Sequence, residues 1–372
     1  MQISQIETIP VRIPLKPDRR MISALGRHDV SDFLLVRVTT DTGLEGWGEA
    51  TVTPRWSGET CLGAKAMIDQ ILSPAALGVD PGDIEELDRR LDAVAVGNWF
   101  AKAAIEMACW DIQGRALGKP VYELLGGACR PLTIRSRFSL GAYEPERARR
   151  RAAELVAAGF TTIKVKVGVD PVRDVERVRI VRETIGPDIA LTIDANGGWD
   201  VPTAIRCIRE LADCQLTIVE QPIPPGDYTG LARVRNETGA KILADESCFD
   251  LVHARELIAH QCCDAISLYP GKNGGIRKVR EIAQFAEQHG IACSIGSNLE
   301  WDLGTAAMAH FVVATPNMQI EVYPGDLLGP DYHEVSIARN PIPIDGPITT
   351  LGTAPGLGIE VDREIVERHR IR

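Results

Sequence analysis

Three acidic strand endings at nearly equal spacing constrain this chain more than any other feature. Asp194 closes the run Leu191-Thr192-Ile193, Glu220 closes Leu216 to Val219, and Asp245 closes Lys241 to Ala244. The acids stand 26 and 25 residues apart, and each is followed by a short turn-forming stretch and a helical pattern. That interval is about one strand–helix unit of an α/β barrel. Barrel strands run parallel, so equivalent endings reach the same rim and three carboxylates converge. Converging anions repel one another unless a cation sits between them. Oxygen ligands without Cys or His favour Mg²⁺ over Zn²⁺.

The rest of the chain fits around that rim. Up to about residue 55 the pattern is of strands and turns: Gln2 to Arg12 alternates, Phe33 to Val38 is a second strand, and Asp41-Thr42-Gly43 turns into a third at Leu44 to Ala50. Residues 58–76 and 82–117 read as helices, the second stopping at Gly118-Lys119-Pro120. From Leu132 onward strand and helix alternate strictly. Strands are expected at 134–140, 161–167, 190–194, 216–219, 241–245, 265–269, 291–296 and 318–322. The fold class is therefore α/β. Residues 1–128 are expected to form an α+β cap and 129–334 a (β/α)7β barrel of the TIM type. Residues 335–372 are strand-like, rich in Pro and Gly, and expected to return to the cap.

A net charge of −10 argues against a nucleic-acid partner, because a phosphate backbone needs a basic surface. No apolar run approaches the roughly 18 residues of a membrane span, and Met1 to Arg12 lacks an apolar signal core. The nine cysteines are odd in number and lack metal-type spacing, which fits reduced thiols and a cytoplasmic location.

Lys164 and Lys166 lie two apart in Thr161-Thr162-Ile163-Lys164-Val165-Lys166-Val167. Period two puts both on one strand face and the apolar residues on the other. The apolar face belongs against the helices, so both lysines should point into the barrel near the acidic rim. Two ammonium groups beside each other and beside a dication disfavour protonation, which should lower a lysine pKa toward the range of a base. Lys272, after the sixth strand, lies across the barrel from them. A base on each side lets a proton leave one face and return on either.

Lys164-x-Lys166, Asp194-x-Asn196, Glu220-Gln221-Pro222, Asp245-Glu246-Ser247 and Lys272-Asn273-Gly274-Gly275 together resemble the enolase superfamily, and within it the muconate-lactonising (muconate cycloisomerase) subgroup. Ala103 to Asp111 and Pro120 to Gly127 match that family's cap-to-barrel junction. The resemblance covers nearly the whole chain and implies an enolase-like fold. It implies that Asp194, Glu220 and Asp245 bind Mg²⁺, which holds a substrate carboxylate and neutralises the enolate formed when the α-proton leaves. Lys166 and Lys272 would be the paired acid and base, with Lys164 beside the substrate carboxylate. The implied activity is an isomerase: racemisation or epimerisation of an amino-acid derivative, or cycloisomerisation to a lactone. A dehydratase of the same superfamily is the alternative enzyme, and an inactive metabolite-binding barrel the alternative from another class.

The mandelate-racemase subgroup places a His–Asp pair on later strands. Here the seventh strand ends in Ser294-Ile295-Gly296-Ser297-Asn298, and Asp302 has no nearby His, so that subgroup is rejected. Dipeptide epimerases carry an Asp-x-Asp motif after the last strand. This chain has Pro324-Gly325-Asp326-Leu327-Leu328-Gly329-Pro330, which counts against a dipeptide. By the same resemblance, loops near Met21 to Val30 and Val52 to Gly58 cover the barrel mouth. Met21, Arg27, His28, Arg55 and Trp56 are then candidates for the distal part of the substrate. Asn196, Glu246, Ser297, Glu300 and Asp326 are candidates nearer the rim. The expected partner is a small-molecule carboxylate, and a symmetric homo-oligomer, dimer to octamer, is expected.

Overall fold

The computed structural model describes all 372 residues. The chain opens with β1 (Ile3–Pro14), the short strands β2 (Met21–Ser23) and β3 (Gly26–His28), then β4 (Val30–Thr40) and β5 (Glu45–Thr51). β1, β4 and β5 form an antiparallel meander in that order, while β2 and β3 pair only with each other as a hairpin. Helices follow: α1 (Pro54–Ser57), α2 (Cys61–Met67), a π-helical turn at Ile68–Leu72, α3 (Ser73–Ala76), α4 (Ile84–Val94), α5 (Trp99–Leu117) and α6 (Val121–Leu124). The expected single helix over 82–117 is two helices. Gly97 and Asn98 take positive φ angles of 63° and 53° between them, and Asn98 begins the new helix. The expected helix from residue 58 starts later, at Cys61, capped by the Thr60 hydroxyl.

α5 lies on the meander at very short range. A Cβ on Gly48 would stand 1.9 Å from the Ala104 carbonyl oxygen, and one on Gly46 2.2 Å from that of Ala108. Glycine on the strand and alanine on the helix are what allow this contact.

The second half is a curled parallel sheet. β6 (Thr133–Arg135) stands apart, and then β7 (Phe138–Leu140), β8 (Thr162–Lys166), β9 (Ala190–Asp194), β10 (Leu216–Glu220), β11 (Ile242–Ala244), β12 (Ala265–Leu268) and β13 (Ala292–Ile295) pair in sequence order. Between and after them run α7 (Pro145–Ala157), α8 (Pro171–Ile185), α9 (Val201–Glu210), α10 (Tyr228–Thr238), α11 (Leu251–Ala259), α12 (Ile276–Gln288) and α13 (Asp302–Ala314). Asp200, Asp227 and Asp250 cap α9, α10 and α11 with side-chain oxygens, so each helix start is written in the sequence.

Two strand expectations are corrected. The stretch 318–322 is not an eighth strand: Met318 forms a single parallel bridge to Cys293, after which the chain turns, with Tyr323 N donating to Gln319 O. The residues that follow close the seam, because Asp326 N reaches Ile295 O and Arg137 N donates to Gly325 O at 2.8 Å. The expected strand 134–140 is split. β6 leaves the barrel to pair with a C-terminal strand, and only β7 joins the parallel sheet.

After α14 (Gly329–Tyr332), β14 (Ile344–Asp345) and β15 (Ile348–Thr350) lie on β6. The chain ends in α15 (Arg363–His369), which Asp362 caps, rather than in a strand. Ile371 N donates to Pro10 O at 2.8 Å, so the terminus does lie on β1. All nine cysteines are free thiols, and no helix is long and apolar enough to cross a membrane.

Buried carboxylates fasten the N-terminal elements to the barrel helices. Glu49 of β5 accepts from Trp301 N and Gly304 N at the start of α13, at 2.7 and 3.1 Å. Glu106 of α5 accepts from Ile276 N and Arg277 N at the start of α12, both at 2.8 Å. A negative side chain there satisfies free helix N–H groups and faces the positive end of the dipole. Burial nevertheless pushes both carboxyls up to about 7; the Asp88 charge adds to this at Glu106, and the N–H donors oppose it at both. A raised folded pKa means the folded state holds a proton that the unfolded chain releases at lower pH. Stability from this source is complete below the ordinary carboxylate range and is lost as pH rises through about 7. Each residue contributes on the order of 3 kcal/mol to that slope. Urea midpoints of wild type and Glu106→Gln between about pH 5 and pH 8 check it. Wild type should lose stability relative to the variant, and parallel curves would refute the assignment.

Candidate active site

Strand period and register build the site. On β8, Ile163 and Val165 are buried toward the helices and Lys164 and Lys166 point inward. Lys166 is in register with Asp194 on β9, and Asp194 with Glu220 on β10. Lys164 Nζ donates to Asp194 Oδ2 at 2.8 Å and to both Glu220 oxygens at 3.0 Å. Lys166 Nζ donates to Asp194 Oδ2 at 2.6 Å and to Asn196 Oδ1 at 2.8 Å. Across the barrel, Lys272 Nζ donates to Asp245 Oδ1 at 2.7 Å and to the carbonyls of Asp245 and Ser267 at 3.0 and 2.6 Å. The three acids and three lysines thus form two buried clusters on one rim, Lys164 and Lys166 with Asp194 and Glu220, and Lys272 with Asp245. The carboxylates are drawn to the ammonium groups rather than closed into a ready ligand set of their own.

Turns after the strands aim the acids. Asn196 has φ of 44°; its backbone N–H returns to Asp194 Oδ1, and its amide donates to Glu246 Oε1 at 2.8 Å. Gln221, at φ 34°, accepts from Asp245 N and Ser247 N and donates to the Ser247 hydroxyl. Gln221 therefore fixes the end of β11 from the end of β10, a positioning role the motif alone does not disclose.

Burial disfavours the Lys166 ammonium, but Asp194 and Glu220 outweigh it, so these carboxylates by themselves raise its pKa; the lowering expected from the sequence included a dication beside the lysines. Direct contact with a carboxylate dominates over the neighbouring ammonium. Burial likewise opposes ionisation of Asp194, yet Lys164 and Lys166 hold its carboxyl well below the usual range. Glu220 is pushed up by burial and by the Asp194 charge against Lys164 and Arg137. Glu246 reaches about 8 through burial and the charges of Asp245 and Asp194.

Above these clusters is a cavity of about 250 Å³ lined by β2, β3, the 53–56 segment and the barrel rim. Met21, Arg27, His28, Arg55, Trp56, Asn196, Ser297 and Asp326 all line it, as do Lys164, Lys166 and the three acids. Lys272, Glu246 and Glu300 lie behind the lining. Glu300 accepts from the Ser297 hydroxyl and Asn298 N, and burial pushes it up to about 8. Several cap residues are engaged in closing the site. Arg55 donates to the Leu25 and Ala24 carbonyls, Arg27 pairs with Asp29 at 2.7 Å, and His28 shares a hydrogen bond with Ser31. Trp56 donates its indole N–H to Glu246 Oε1 at 3.0 Å and stacks on Tyr269 with centroids 5.7 Å apart.

Arg137 and Ser139 also line the cavity and were not expected. Arg137 is 3% exposed; its Nη1 donates to Ser139 Oγ at 2.8 Å, and its guanidinium stands 3.4 Å from Glu220 Oε2 and 3.9 Å from Asp326 Oδ2. The signal was present: Arg137 and Ser139 alternate with Phe138 and Leu140 as the lysines alternate on β8.

An acid-rimmed parallel barrel with inward lysines on one strand, a lysine opposite and a two-loop lid defines a barrel enzyme of the enolase type. Residues 5–126 match the mandelate racemase / muconate lactonizing enzyme N-terminal domain, and residues 147–365 match the enolase C-terminal domain-like family. The chain belongs to the mandelate racemase / muconate lactonizing enzyme family of the enolase superfamily and is an isomerase. It is 35% identical to a hydrophobic dipeptide epimerase of Enterococcus faecalis over 96% of this chain and 99% of that protein. The N-succinyl Arg/Lys racemase of Bacillus cereus superposes with a TM-score of 0.95 at 29% identity, covering 100% of this chain and 99% of the other. A 2-chloromuconate cycloisomerase of Rhodococcus opacus gives a TM-score of 0.95 at 31% identity, covering both chains fully (100% and 100%).

Proposed function

We propose that this isomerase is Mg²⁺-dependent and moves the α-proton of a small-molecule carboxylate, with Lys166 and Lys272 as the acid/base pair. The observation that carries the reading is that each of these lysines holds an acid of the trio from a different side of the barrel. Lys166 holds Asp194 from β8, and Lys272 holds Asp245 from beyond β12. Asp194, Glu220 and Asp245 suit a hard dication: they are buried oxygen donors, and the like charges of Asp194 and Asp245 hinder ionisation of Glu220. Glu246 Oε2, Ser267 Oγ and Tyr269 Oη are buried without partners around the same floor, which fits further polar occupancy. Solved relatives include a dipeptide epimerase in complex with Mg. When bound, Mg²⁺ would supply positive charge for the substrate carboxylate and for the charge that builds on it as the proton leaves.

The chain's own residues do the rest. Lys164 puts an ammonium between Asp194 and Glu220, beside the carboxylate position. Lys166 takes the α-proton at Nζ once its hold on Asp194 loosens, and Asn196 keeps that nitrogen aimed. Lys272, gripped by three oxygens, delivers a proton from the opposite face. Trp56 over Tyr269 keeps water from the Lys272 side. Returning the proton to the other face inverts the centre, which makes racemisation or epimerisation the leading reaction. Cycloisomerisation would draw on the same pair.

Arg137 bears on the substrate. Its guanidinium stands between Glu220 and Asp326 and offsets part of the Asp326 charge, which favours a substrate with an acylated nitrogen over a free amine. A symmetric homo-oligomer is part of the same proposal. Proton exchange in deuterated water, followed by NMR over N-acyl amino acids, dipeptides and unsaturated dicarboxylates, tests it. Mg²⁺-dependent deuterium at the α-carbon of acylated substrates is expected, and no exchange with any carboxylate would overturn it.

A further inference from the structure

Against the β2–β3 hairpin lies a second cleft, of about 440 Å³, which shares Arg27 with the active-site cavity. Its lining is dominated by Arg20, Arg27, Arg147, Arg150 and Arg151, with Asp18 and Asp29 the only acids. Such a concentration of positive charge is unusual in a chain of net charge −10.

Most of these arginines are committed. Arg27 pairs with Asp29 at 2.7 Å, Arg150 and Arg151 approach Glu154, and Arg151 stands 3.9 Å from Asp18. Arg20 and Arg147 are not: neither has a carboxylate within salt-bridge distance or an acceptor for its guanidinium. Arg20 Nε and Arg151 Nε are buried and unpartnered. One residue links the two: Tyr143 touches the backbone of Arg20 and the guanidinium of Arg147, and both arginines line the cleft. Tyr143, 2% exposed, donates its hydroxyl to Arg20 O at 2.7 Å and carries the Arg147 guanidinium 3.7 Å from its ring centroid. Arg177 in turn donates to Tyr143 O at 2.6 Å, so the platform is fixed from below. Two guanidiniums in one cleft without counter-charge repel each other, and stacking on Tyr143 leaves the N–H edges of Arg147 open to an acceptor. Planar forks of this kind match an oxyanion with several acceptor oxygens.

We propose that this cleft is an oxyanion site that takes a phosphate group between Arg20 and Arg147 and thereby steadies the lid of the active site. The coupling follows from the hairpin's position. Ile22 and Arg27 line the arginine cleft, while Met21, Ser23, Arg27 and His28 line the catalytic cavity. Ile22 O also accepts from Ala142 N at 2.7 Å, which joins the hairpin to the loop after β7. An anion that draws Arg20 and Arg147 together holds the hairpin against the barrel rim. The ligand is either the free ion or a phosphate ester of a small metabolite, since both present the same oxygens.

Calorimetric titration of the intact enzyme at low ionic strength tests the site, with inorganic phosphate in one arm and glycerol phosphate in the other. Saturable one-to-one binding is expected, at least tenfold weaker in Arg20→Gln and in Arg147→Gln and absent in the double variant. Amide exchange over residues 21–28 should slow on phosphate addition in wild type only. Tighter binding of the ester would assign the site to a phosphorylated metabolite, and equal binding to the free ion. Absence of saturable binding, or binding unchanged in both single variants, would overturn the proposal. Unchanged far-ultraviolet dichroism of the variants separates loss of the site from loss of the fold.

Discussion

Lys166→Ala should lower turnover by about three orders of magnitude and leave the protein folded. In the proposed mechanism the side chain removed is a general base or acid, and such groups contribute factors of about 10² to 10⁴. Structure should survive because Asp194 keeps the Lys164 ammonium at 2.8 Å when Lys166 is gone. Lys272→Ala should lose as much activity at a larger cost in stability. Lys272 is fully buried and answers the Asp245 carboxylate directly, so its removal leaves an uncompensated charge worth roughly 3 to 5 kcal/mol. Steady-state kinetics with a thermal melt for each variant separates the two contributions. Full activity in either variant would remove that lysine from the mechanism.

The second large effect is expected at Glu220. Glu220→Gln keeps the shape of the side chain and removes one of three negative charges that would face the dication. Mg²⁺ affinity measured by calorimetry should fall by about 100-fold, and activity with it. The variant should not unfold, because burial and the Asp194 and Asp245 charges already oppose ionisation of Glu220. Undiminished Mg²⁺ binding in Glu220→Gln would take this residue out of the ligand set.

The parts of the fold legible in the sequence were those where local chemistry and global position agree. Apolar strands ending in a single acid gave the rim, and the alternation of Lys164 and Lys166 with Ile163 and Val165 gave their direction. The stretch Met318 to Val322 misled because it alternates like a strand, yet its task is to turn. Gly325 must pass so close to Ile295 that a Cβ would lie 2.1 Å from its carbonyl oxygen, and that approach brings Asp326 to Arg137. Arg137 was readable from its alternation with Phe138, but the division of its strand was not, since one half pairs to a segment more than 200 residues later (Thr349 opposite Ile134). No local pattern carries that pairing. The contacts of Lys166 were not legible for a related reason. Sequence names the ammonium groups but not which of them touches a carboxylate at 2.6 Å, and at that range the contact decides. The lid was legible as a pair of loops, but the engagement of Arg55 with backbone carbonyls and of Trp56 with Glu246 was not.

The central claim is that two lysines serve opposite faces of one α-carbon. Deuterium incorporation from each enantiomer separately, in Lys166→Ala and in Lys272→Ala with Mg²⁺ present, tests it most directly. Each variant should still exchange the α-proton of the enantiomer facing its remaining lysine and fail with the other, the two variants failing on opposite hands. If both variants lost the same enantiomer, or both kept exchange with either, the two-faced arrangement would be contradicted.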